Sequence, residues 1–156
     1  MIAGCGSHPR ANESTLRFHR LYEGADTTGI SRGKALLQAF DVNRDPTGAL
    51  RASGRLDLPD DTMLELIVYA PGGAQVLARS EFPLEGRHFE SPPILGQGGP
   101  LPTGHYHFQL RCRFDPDVQP PAVMQAVANR GKLRGPGIIR IHSGMVAFVH
   151  DLETRR

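Results

Sequence analysis

A chain of 156 residues and 17.0 kDa is the size of a single domain, and its 18 Lys and Arg against 16 Asp and Glu leave no concentrated field to attract a phosphate backbone. Nucleic acid is therefore disfavoured as a partner, despite a pI near 8.8. Leu, Ile, Val and Phe make up roughly a quarter of the residues, above the ~20% below which chains tend to remain disordered, so a core can form. The 18 glycines and 13 prolines point to many turns between short elements. No apolar run approaches the ~18 residues of a membrane-spanning helix.

In chain order, the polar run Gly6 to Ser14 reads as a tether, and residues 15–156 as one domain. Leu16 to Tyr22 suits a first edge strand, while Ser31 to Val42 is open between helix and strand. Ala49 to Leu58 alternates, with Leu50, Ala52, Leu56 and Leu58 on one side and Arg51, Ser53, Arg55 and Asp57 on the other. Met63 to Ala70 is a denser apolar run, as expected of a central strand. After the turn Pro71-Gly72-Gly73, Gln75 to Leu84 aligns Val76, Ala78, Phe82 and Leu84 on one face. Arg87 to Ile94 is a short edge strand, because Pro92 and Pro93 cannot donate to a ladder.

Gly104 to Phe114 alternates strictly: Tyr106, Phe108, Leu110, Cys112 and Phe114 share one face, and His105, His107, Gln109, Arg111 and Arg113 the other. The first face is expected in the core and the second at the surface. Cys112 then behaves as a small hydrophobe, and a disulfide to the distant Cys5 is disfavoured. Pro120 to Asn129 is predicted to be a short helix that Gly131 could close. Ile138 to Asp151 follows as one or two strands broken at Ser143-Gly144.

Strands of this length, punctuated every 8 to 12 residues, suggest an antiparallel β-sandwich. Leu101-Pro102-Thr103-Gly104-His105-Tyr106 resembles the tyrosine corner of immunoglobulin-like sandwiches, in which the phenol hydroxyl bonds backbone a few residues upstream. The expected fold is therefore an all-β, antiparallel, immunoglobulin-like sandwich with one short helix. Neither the antibody-type cysteine pair nor a tryptophan is present, and the resemblance brings no activity with it.

A second resemblance lies in Ile2-Ala3-Gly4-Cys5, which is similar to the lipobox of bacterial lipoproteins. It implies that Cys5 is acylated, that the peptide is cut before it, and that the chain is anchored to a membrane. Gly6 in place of the inner-membrane retention aspartate implies outer-membrane sorting, facing the periplasm, in a diderm host. Only four residues precede Cys5, so the resemblance further implies that Met1 lies within the signal's apolar segment. A cytosolic chain with a chance cysteine is the alternative.

Candidate chemistry is sparse. Of the seven histidines, His105-x-His107 is the close pair, and on a strand both rings share a face that can chelate a metal if His88, His142 or a carboxylate supplies a third ligand. Asp60, Asp61, Asp115 and Asp117 sit beside prolines, where Asp commonly bonds local backbone. Gly131 to Gly137 reverses the order of a phosphate loop and contains Pro136, and Ser143 lacks a nucleophile-elbow setting. The leading expectation is a non-catalytic, lipid-anchored envelope module without cofactor or metal, binding an envelope protein or glycan. A small periplasmic metal-binding protein using His105 and His107 is the alternative, followed by a cytosolic protein of another role.

Overall fold

The computed structural model describes residues 35–72, 75–129, 133, 135–140 and 146–156. These form eight strands and one helix: β1 (Leu37–Arg44), β2 (Leu50–Leu56), β3 (Met63–Tyr69), β4 (Val76–Pro83), β5 (His88–Glu90), β6 (His105–Phe114), α1 (Pro121–Asn129), β7 (Ile138–Arg140) and β8 (Val146–Arg155). The strands make two antiparallel sheets, ordered β1-β2-β5 and β4-β3-β6-β8-β7. First, second and fifth strands on one sheet, with third, sixth and last on the other, is the partition of an immunoglobulin-like sandwich. Here the fourth strand flanks the third, and α1 and β7 are inserted ahead of the last.

The core lies between the sheets, where Val42, Leu50, Ala52 and Leu56 meet Leu64, Leu66, Phe108, Leu110 and Phe148 in one apolar cluster. Alternation produces this directly. The four residues assigned inward from Ala49 to Leu58 are buried, as are the five of β6. Phe89 joins the sheets, with its ring 6.1 Å from Phe40 and 5.9 Å from Phe82. That crossing fixes Gly54: a Cβ there would stand 2.0 Å from the Ala39 carbonyl oxygen and 2.6 Å from the Phe89 ring. Only a residue without a side chain fits.

Leu37–Arg44 resolves the open segment as a strand, paired with β2 and bulged between Leu37 and Ala39. Val76 departs from the face assigned to it and is 45% exposed, because the register slips between Val68 and Tyr69 and turns it away from Ala78 and Phe82. The corner forms as expected, the Tyr106 hydroxyl donating to the Pro102 carbonyl. α1 begins at Pro121, whose missing N–H costs nothing in a first turn. Gln119, buried ahead of α1, bonds like a strand: its Oε1 accepts from Met63 N at 2.8 Å, and its Nε2 donates to the carbonyls of Met63 at 3.0 Å and Arg113 at 2.9 Å. Residues 1–34, the Gly131 helix stop, His142 and the Ser143-Gly144 break lie outside the described residues, as do Lys132 and Arg134 of the Gly131–Gly137 loop.

Candidate functional site

The five-stranded sheet has a second face, turned away from the core, and its middle is also buried. Ile67 and Tyr69 of β3, His107 and Gln109 of β6, and Ala147 and Val149 of β8 are all withdrawn from solvent. This corrects the surface assignment of the alternate β6 residues. His107 is 2% and Gln109 0% exposed, Arg111 is largely covered, and only His105 and Arg113 lie outside. Strict polar–apolar alternation marks two chemically different faces, and it marks a wet face only when nothing covers that face. The denser run of β3 carried the contrary signal, because Ile67 and Tyr69 on its second face are apolar.

Antiparallel pairing of β6 with β8 sets Gln109 opposite Asp151 and His107 opposite Glu153. His107 Nε2 lies 2.5 Å from Asp151 Oδ1, and its Nδ1 lies 3.1 Å from Glu153 Oε1. Both ring nitrogens face acceptors, an arrangement saturated when each carries a hydrogen. Gln109 Nε2 donates to the same Asp151 oxygen at 3.1 Å, which fixes the amide's orientation, while its Oε1 is buried with no partner among the described residues. The Tyr69 ring meets the imidazole edge-on at 5.7 Å.

One step along the sheet, Glu65 of β3 receives Arg111 Nε on Oε1 and Arg79 Nη1 on Oε2, the latter at 3.1 Å. These side chains, with Glu81, Arg113, Asp117, Val118, Met63, Leu64 and Cys112, line an open groove of about 570 Å³. Its walls carry three arginines and three carboxylates, so it is electrically mixed rather than cationic. Its polar lining sets it apart from the mostly apolar pockets that enclose small ligands.

The predicted residues thus disperse. Neighbouring carboxylates do reach His107, as a metal site would require, but they occupy both nitrogens. His105 stands apart on the exposed side, and His88 sits on β5 in the other sheet. Among the described residues no group of three or more His, Cys, Asp and Glu is placed to hold a metal ion. Cys112 is free and buried, and desolvation pushes its thiol far above the usual range, so it is inert as a nucleophile. Of the turn aspartates, Asp115 bonds locally, its Oδ1 accepting from Asp117 N at 2.9 Å, whereas Asp60 Oδ1 accepts from the distant Arg87 N at 3.3 Å.

Glu65, Asp151 and Glu153 escaped notice in the sequence because their partners come from other strands. Alternation gives the face, whereas the neighbour depends on pairing register. The chain matches no protein-family model, no curated protein and no solved structure. What the structure defines by itself is an all-β sandwich with a paired, charge-balanced groove on one sheet. No helix among the described residues is long and apolar enough to cross a membrane.

Proposed function

We propose that the protein is a non-catalytic binding or assembly module of the cell envelope, held to a membrane by lipid on Cys5. The binding half of this reading is carried by the mixed-charge groove. Glu65 clamps Arg111 and Arg79 at its base, and the open rim with Arg113, Glu81 and Asp117 offers donors and acceptors to a polar partner such as a protein segment or a glycan. The anchoring half is supported by Ile2-Ala3-Gly4-Cys5 and the polar run behind it. The metal-binding alternative is the weaker one, because His107 already spends both nitrogens on carboxylates.

Expression from DNA that includes the region upstream of Met1, in a bacterial host fed an alkyne-tagged palmitate, tests the anchor. The expected result is a labelled protein in the membrane fraction, and a Cys5→Ser variant that is unlabelled and released with its thermal melting unchanged. Equal labelling of both forms, or soluble wild-type protein with a stop codon just ahead of Met1, overturns it.

A further inference from the structure

We infer that β4 is a self-association edge, through which two copies of this chain join their five-stranded sheets antiparallel about a two-fold axis at Ser80. The inference does not depend on where the chain is anchored; Arg79 and Glu81 also line the groove, so a second copy on this edge shares them with whatever fills the groove.

A sheet edge presents unpaired N–H and C=O groups, and proteins usually close such edges with caps, charges, prolines or shortness. The four edges among the described strands differ in that respect. β5 and β7 are three residues long. On β1, Asp45 N bonds the Ala49 carbonyl of the β2 side, so the alternate backbone groups of Val42 point away from β2. Both are capped: Val42 N donates to Asp41 Oδ1 at 2.9 Å, and the Val42 carbonyl accepts from Arg156 Nε at 2.5 Å. The last edge, β4, is eight residues long and ends its sheet among the described residues.

Leu84 N donates to the Thr62 carbonyl at 2.9 Å, which sets the alternation along β4. Backbone groups of Leu84, Phe82 and Ser80 face β3, and those of Pro83, Glu81 and Arg79 face outward. Among the described residues these outward groups meet no side-chain cap like that on Val42. Pro83 faces outward without an N–H, so the donors this edge offers end at Glu81.

The side chains then select both partner and register. Arg79 and Glu81 are exposed on the same sheet face with Ser80 between them. A two-fold at Ser80 sets Arg79 of each copy opposite Glu81 of the other, giving four backbone hydrogen bonds and two cross-strand ion pairs. A two-fold one residue away sets arginine against arginine or glutamate against glutamate. The charges that would repel a shifted register thus specify this one. A second copy supplies the complement without any other component, in a closed isologous contact.

Sedimentation velocity of the full chain, run up to millimolar concentration, tests the edge. Wild type is expected to show a reversible monomer–dimer equilibrium that weakens with salt. Glu81→Arg and Arg79→Glu are each expected to weaken it about tenfold or more, since two attractive pairs become repulsive. Mixed one to one, the two variants are expected to form a heterodimer as strong as wild type, because the two acids on the edge of one then face the two arginines on the edge of the other. Should Arg79→Glu fail to fold beside Glu65, Glu81→Arg with unchanged circular dichroism decides alone. A wild type that stays monomeric, or a Glu81→Arg variant that dimerises like it, overturns the inference.

Discussion

β6 carries two buried faces built from opposite chemistry. Tyr106, Phe108, Leu110, Cys112 and Phe114 look into the sandwich, where their stability comes from area removed from water and from close packing. His107 and Gln109, one residue out of step, look the other way and are no more exposed, but His107 is held there by hydrogen bonds to Asp151 and Glu153 and Gln109 by one to Asp151. The first face asks only for the right volume. The second asks for particular partners at particular atoms, since a buried polar group without its partner costs its full desolvation. The two faces should therefore fail differently when broken.

The largest expected effect is on the apolar face. Phe108 is fully buried among Tyr106, Val68 across one strand and Leu152 across the other. Phe108→Ala should cost about 3–5 kcal/mol in urea unfolding, from lost transfer energy and the cavity left behind. The loss should be the same when Asp151 and Glu153 are replaced by their amides. A loss below about 1 kcal/mol would mean that Phe108 is not packed into the core between the sheets.

Next in size comes the polar face. His107→Leu keeps the volume but leaves two carboxylates together without their shared donor, and should cost about 2–4 kcal/mol, discounted because both carboxylates reach solvent. Adding Asp151→Asn should recover part of that loss, because an amide can donate to Glu153 where a carboxylate can only repel it. A double-mutant cycle reads the coupling. If the second substitution adds its own full cost instead, His107 is held by packing and the contrast between the faces disappears.

That contrast also explains how much of the molecule was legible in the chain. Periodicity placed Leu50, Ala52, Leu56 and the inner residues of β6 correctly, because each such assignment needs only the two-residue repeat of a strand. The turn at Pro102-Thr103-Gly104 and the hydroxyl of Tyr106 sit within four residues of each other, so that corner was legible too. Val76 was misplaced because a bulge is a property of the paired strand, invisible in one strand's own pattern. The burial of His107 and Gln109 was missed for a related reason. Whether a polar face is wet depends on what packs over it, and its partners Asp151 and Glu153 lie more than forty residues away. The groove was illegible altogether, since Glu65 meets Arg79 and Arg111 only once three strands have found their register.

The smallest expected effect tests an imidazole on the sandwich side of this division. His150 of β8 stands opposite Leu110, on the sandwich side, with its ring 5.6 Å from that of Phe40. Burial lowers its pKa below 6.5, partly opposed by the neighbouring Asp151 carboxylate, which favours the charged ring. The folded state therefore prefers neutral His150, while the unfolded chain takes up its proton first. Its contribution is intact above about pH 6.5 and is lost as the pH falls from there through the lowered folded-state value. The turn carboxylate Asp45, held down to about 2 by hydrogen bonds from Thr47 and Arg51, gives up its own contribution only between about pH 4 and 2, whereas the loss from His150 begins already at about pH 6.5. His150→Phe keeps an aromatic ring against Phe40 and removes the proton site. It should flatten the onset of the fall in stability just below about pH 6.5 measured by urea unfolding, while leaving the Asp45 contribution between about pH 4 and 2 in place. Parallel pH profiles for the two proteins would show that His150 is solvated in the folded state, and the inner face of the sandwich would then be less dry at β8 than at β6.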